Sequence, residues 1–371
     1  MKYLKFGSIV VAFLFVLSSC KSNDSNESTD NFDRGAMLAN WADNIIIPAY
    51  TSFDSKVNDL KTKTNEFTSN PTEGKLQDLR NSWEAAYVSF QNVSMFEIGK
   101  AEELRFRNRL NVYPTDVPQI EGFISSGTYN FDLPSTIDAQ GFPALDYMIN
   151  GLGENDTEIL SFYTSNANAT GYKNYLQKLS ETISSQTDEV LTSWTAGYRD
   201  VFVANTASSA LGAVDKFTNA YIFYYEKALR AGKVGIPAGV YSNGVLPQNV
   251  EAFYKKDISK ELLMQALDAT QNFFNGKKFG GSANGPSYKT YLDYLNTIKN
   301  GEDLSVLINN QFDAARAKIN TLKPNFVEQI ATDNSKMLET FDELQRNVVL
   351  MKVDMVQALN IAIDYVDADG D

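Results

Sequence analysis

Arg105, Arg107 and Arg109 stand at alternate positions directly before a long stretch interrupted by Pro114, Pro118, Gly122, Gly127, Pro134 and Gly141. Arginines beside a loop pair with carboxylates or hold an anionic ligand, although a solvated helix face is the simpler reading of such a triplet. A second group follows at Gly141, Pro143 and Asp146. Gly141 permits a tight turn, Pro143 suits the first turn of a helix, and an acid at Asp146 in that turn favours the helix dipole. Those are capping roles, yet a helix start beside a long loop also makes an anion or peptide site. The glycine-rich segment 276–286 has no preceding strand and no GK[ST] ending, so it reads as a surface loop rather than a phosphate cradle. The closing Asp367, Asp369 and Asp371 resemble part of a calcium loop, but no bidentate Glu follows them, and they read as an acidic tail.

What is missing narrows the chemistry further. The chain has no histidine. Ser-His-Asp and Cys-His nucleophilic systems, HExxH zinc chemistry and every His-ligated metal are therefore excluded. The single cysteine excludes an internal disulfide framework and any Cys-based zinc site. With 33 Lys and Arg against 46 Asp and Glu, the formal net charge is −13, and nucleic acid is not an expected partner.

The elements that must position these residues are helices. Trp41, Ile45, Ala49, Phe53, Val57 and Leu60 recur in steps of three and four, with Pro48 expected to kink the run. Leu76 to Val93, Tyr172 to Trp194, Leu211 to Leu229, and Phe341 to Ile363 repeat the pattern, and further runs start at Ile258 and Leu304. Strand alternation extends over no useful length. The spacing predicts an all-α fold of helical-bundle type, with a domain change near residues 200 to 205 that divides 32–202 from 203–371. Residues 111–141 and Gly232 to Pro247 read as the long irregular connections, of the kind that often carry function.

The first twenty residues read as an address. Lys2 and Lys5 precede a short apolar run, Ile9 to Leu17, and then Ser18-Ser19-Cys20. That order predicts a bacterial lipoprotein signal at 1–20 whose Cys20 thiol is lipidated and becomes the mature terminus. Residues 21–31 follow as a polar tether. The expected place is a lipid-anchored cell envelope, with the outer membrane favoured and the face undecided.

The residues around Asp146 also carry a family resemblance. Gly141-Phe142-Pro143-Ala144-Leu145-Asp146 resembles the GxHxxE region of the imelysin family. Ala42 to Tyr50 resembles that family's opening helix, Trp83 to Gly99 its second, and Asn111-Val112-Tyr113-Pro114-Thr115-Asp116 its N-x-W-P-x-D turn. Lys233-Val234-Gly235-Ile236-Pro237 and the DADGD ending resemble Bacteroidetes-type members. The resemblance implies a two-part all-α envelope protein with its signature segment near the cleft, associated with iron or haem acquisition.

The departures from the family pattern matter equally. Pro143 stands at the family's His and Asp146 at its Glu; Ser94 stands at a further family Glu, and Glu97 at an Arg. Ligand-binding candidates are therefore Gly141, Pro143, Asp146, Ser94, Glu97, Arg105 and Asp116, with no catalytic residue among them. The divalent-metal site of the His-bearing members is expected to be absent. A carboxylate-only site at Asp146, Glu97 or Asp116 for iron or calcium is the alternative. Three functions stay open: a non-catalytic binding lipoprotein working with iron or haem uptake components, a metallopeptidase, and an adaptor whose cleft takes a peptide or protein. Haem would need Tyr or Met ligation.

Overall fold

The computed structural model describes residues 30–365. Cys20, the lipoprotein signal, most of the tether and the acidic tail lie outside the described residues. From Phe32 onward the chain is one compact unit, and the fold is all-α. Its only described strands are Ile298–Lys299 and Glu302–Asp303, a two-residue hairpin.

Helix α1 (34–69) is followed by α2 (Glu73–Phe90), the short α3 (Lys100–Leu104) and α4 (Phe106–Leu110), then α5 (Val117–Ser126). A 3-10 turn at Pro134–Ala139 leads into α6 (141–151) and α7 (Asp156–Thr164). The long α8 (Ala169–Ser193) passes through a π turn, kinked at Gly197, into α9 (Arg199–Ala204). Then come α10 (213–235), α11 (Ser259–Phe274), α12 (Tyr288–Tyr294), α13 (Leu304–Asn320), α14 (Phe326–Asp333) and α15 (335–358). Helices α1, α2 and α8 pack along one another, and α10, α13 and α15 form the corresponding group in the second half.

The halves expected on either side of residue 202 share one core. Trp41 of α1 packs against Phe217 of α10, Phe273 of α11 and Tyr288 of α12. Phe96 meets the same Phe217 and Phe273. Aromatic side chains bury roughly 150–250 Å² each, so this cluster ties the halves strongly.

The kink expected at Pro48 is replaced by a change of winding in a continuous helix, with a compensation supplied from far along the chain. Its missing N–H frees the carbonyl of Asn44, four residues earlier. The helix is π-wound over Asn40–Ile46, and the Asn44 oxygen accepts instead from the Phe279 N–H at 2.8 Å. Asn40 Nδ2 donates to the oxygens of Gly276 and Pro286 at 3.2 and 3.0 Å. The glycine-rich loop is thus a clasp on α1.

Several boundaries differ from the periodicity. Residues 111–141 contain α5 and a 3-10 turn rather than one irregular stretch, because Asp116 caps α5 by accepting from Gln119 N–H at 3.0 Å. Helix α10 runs through Gly232 to Gly235, beyond the expected break. Leu211 lies before α10 and is exposed. The last helix ends at Ala358 rather than at Ile363, and Asn360 follows with a φ of 54°.

Candidate functional site

Gly141 begins the construction of the site. Its φ is +75°, and a Cβ there would lie 2.3 Å from the Leu110 carbonyl oxygen. Only glycine lets the start of α6 press against the end of α4. Gly141→Ala should therefore cost about 1–3 kcal/mol, from left-handed strain and the displaced carbonyl. Urea denaturation reads this directly, and a change under about 0.5 kcal/mol would refute the close-packing role.

Asp146 follows on α6 and is fully buried. It does not cap its own helix. Its carboxylate accepts from the N–H groups of Tyr254 at 2.9 Å and Lys255 at 3.0 Å, and from Asn150 Nδ2 at 3.0 Å. Burial raises its pKa to about 7, against the lowering effect of those donors. The segment it holds is bent, with Ala252 and Lys256 at φ 56° and 71°. Below the next residues of α6 the π turn at Tyr147–Gly151 leaves helix carbonyls to satisfy. Tyr163 Oη donates to the Met148 oxygen and Arg80 Nε to that of Ile149.

The turn pinned by Asp146 carries Glu251, which sequence reasoning missed. Glu251 is 2% exposed and pairs with Lys233 Nζ; Lys233 is 3% exposed. Asn111 Nδ2 donates to Glu251 Oε1 at 2.7 Å, while Tyr87 Oη donates to Asn111. Burial pushes the Lys233 ammonium pKa down, and the adjacent Glu251 opposes that. A second buried acid, Glu226, pairs with Lys227 and Lys352 at 3.0 Å each, lies 3.7 Å from Arg230, and accepts from Tyr365 Oη. Lys233 stood in a motif visible in the sequence. Nothing local marked Glu251 or Glu226.

Of these groups Asn111, Lys227 and Lys233 wall a cavity of about 320 Å³ between the first half (Gln91 to Tyr113) and the second (Phe223 to Asn249). Arg107, Lys227 and Lys233 line it, and no carboxylate does. Arg107 Nη1 donates to the Ser94 oxygen at 3.3 Å, and its guanidinium lies 5.6 and 5.7 Å from the Phe223 and Tyr224 ring centres. Ser94 Oγ donates to Tyr224 Oη at 2.8 Å. Burial pushes the Tyr224 phenol well up, so it stays protonated.

The sequence-predicted residues separate. Ser94 lines this cavity. Pro143 and Asp146 line a smaller neighbour of about 150 Å³, which shares Tyr113 with it. Gly141 acts through packing alone. Arg105 is exposed at φ 52°, where it breaks α3 from α4, and Arg107 takes the place expected of it. Arg109 turns away and donates to the Leu104 and Phe131 oxygens. Glu97 accepts from the Arg107 backbone N–H at 3.1 Å, and its pKa is raised by burial. Asp116 is a helix cap. The three carboxylates considered for a metal thus each serve a different backbone. Among the described residues no group of three His, Cys, Asp or Glu could hold a metal ion.

A family model for imelysin, Peptidase_M75, matches residues 46–349. The chain belongs to the imelysin family. Two solved structures share the fold, each with a TM-score of 0.69. One is an imelysin-like protein from Psychrobacter arcticum 273-4, at 16% identity, covering 90% of this chain and 97% of that one. The other, described as an iron-regulated protein A precursor from Parabacteroides distasonis ATCC 8503, is 18% identical and covers 87% of this chain and 95% of that one. No curated protein sequence matches. The metal that a peptidase family name implies does not fit the residues of this imelysin chain, which offers no imidazole and, among the described residues, no convergent carboxylates.

Proposed function

We propose that this chain is a non-catalytic binding component of iron or haem acquisition, anchored to a bacterial envelope membrane, the outer membrane favoured, through lipidated Cys20. The observation that carries the reading is the cavity between the halves. It is lined by fixed cations, amides and aromatic rings, and it holds no carboxylate, imidazole or thiol to act as a base. Its volume lies near the lower end of the ~300–1,000 Å³ typical of small-molecule sites. The likeness to a structure described as an iron-regulated protein A precursor supports an iron-related ligand.

Calorimetric titration of the full chain with ferric and ferrous salts, haem and ferric chelates tests the proposal, with elemental analysis of the purified protein. One-to-one binding of an iron species at sub-micromolar affinity is the expected result. Silence toward every iron species would overturn the iron reading and leave an adaptor for a peptide or protein. Metal-dependent cleavage of a peptide would overturn the non-catalytic one.

A further inference from the structure

The cavity carries one sign of charge on its lining, although the protein as a whole is acidic. A larger groove of about 660 Å³ elsewhere on the surface balances Lys61, Arg109 and Lys178 with Asp132, Glu181 and Glu189. The cavity between the halves is lined by three cations and no acid. Behind its wall, Glu226 is shared among Lys227, Arg230 and Lys352, while Glu251 serves Lys233. With Arg107 beside Glu97, five cations surround three carboxylates. A low-dielectric wall of this sign repels a bare metal ion and attracts an anion.

Arg107 is the group built to meet that anion. Its backbone N–H is held by Glu97, and its guanidinium sits beside the Phe223 and Tyr224 rings. Of the five guanidinium N–H groups, one is engaged, by the Ser94 oxygen. The remaining fork matches a carboxylate in two-point contact. Asn108, Asn111 and Asn249 add amides to the wall. The protonated Tyr224 offers a neutral hydroxyl rather than a phenolate for ferric ion.

We infer that the cavity recognises a compact polycarboxylate through Arg107, with Lys227 and Lys233 supplying the field. Iron would then reach the protein inside such an anion and not on protein side chains. This deepens the proposed function and rests on it.

The test titrates the full chain with citrate, ferric citrate, haem, inorganic phosphate and ferrous chloride, alongside Arg107→Gln. Arg109→Gln is the control, since it removes the same charge outside the cavity. Thermal unfolding checks that both variants fold. Citrate and ferric citrate should both bind. Arg107→Gln should weaken them at least tenfold, Arg109→Gln should leave them unchanged, and added salt should lower the affinity. Ferrous chloride binding as tightly as ferric citrate would overturn the inference, as would phosphate competing equally with citrate or equal losses in the two variants. Haem binding that depends on Arg107 without citrate binding would sink the polycarboxylate and keep the proposed function. Silence toward every ligand would sink both.

Discussion

Asp146→Ala lowers stability at pH 5 by about 3 kcal/mol, because two backbone N–H groups and an amide lose their acceptor in the interior. The orphaned groups are those of Tyr254, Lys255 and Asn150. In urea the midpoint falls, and hydrogen exchange at Tyr254 and Lys255 speeds up more than elsewhere. Unchanged exchange at those two amides would show that Asp146 does not organise the turn. Ligand affinity at the cavity between the halves should fall as well, although Asp146 does not line it. The turn it holds is the one that delivers Glu251 to Lys233.

The same carboxyl makes stability depend on pH. Its folded pKa is about 7 against an ordinary value of 3.8, so the folded state keeps the proton to higher pH than the unfolded chain. The stability it contributes is complete below about pH 4 and is lost as pH rises through 7, on the order of 4 kcal/mol in all. Asparagine cannot ionise. The stability of wild type relative to Asp146→Asn should therefore fall steadily from pH 4 to about pH 7 and level off above it. A gap independent of pH would contradict the raised pKa.

Lys233→Met is the second large effect. It leaves the Glu251 carboxylate, 2% exposed, without a cation and with neutral partners such as the amides of Asn111 and Gln91. Breaking a buried pair from one side costs about 3–5 kcal/mol, because the remaining charge is uncompensated. The double variant Lys233→Met, Glu251→Gln should recover much of the loss, since the stranded charge disappears with its partner. A double-mutant cycle by urea denaturation measures this. Additive losses would mean that the two side chains are not coupled in the folded protein. Side chains this deeply buried gain nothing from screening, so the pair should resist salt far better than the exposed Lys63–Glu66 pair.

Arg107 shows how a sequence pattern can locate a site and still mislead about the residue. Alternate arginines suggest a shared role, and Arg105 was the one expected at the ligand. Its left-handed φ ends α3 and starts α4, which re-aims everything after it. Arg107 then faces the cavity, and Arg109 ties down the loop at Phe131. A break of one residue between two short helices cannot be read from spacing that assumes a continuous turn.

The sequence by itself determined the helical fold, because burial of one face imposes steps of three and four wherever a helix packs. The absence of histidine and the net acidity excluded whole classes of chemistry before any coordinates. It also marked Gly141 and Asp146 as special, for a helix start that needs a glycine and an acid. Only the tertiary structure decided what they do. Gly141 is required by the carbonyl of Leu110, and Asp146 serves a turn more than a hundred residues away. Glu251 carries no local signal, and the motif that holds Lys233 does not name its partner, since a charged residue enters the interior only when a distant partner removes the cost of its burial. Pairings of that kind belong to the packed chain, and they give an acidic protein a cation-lined cavity between its halves.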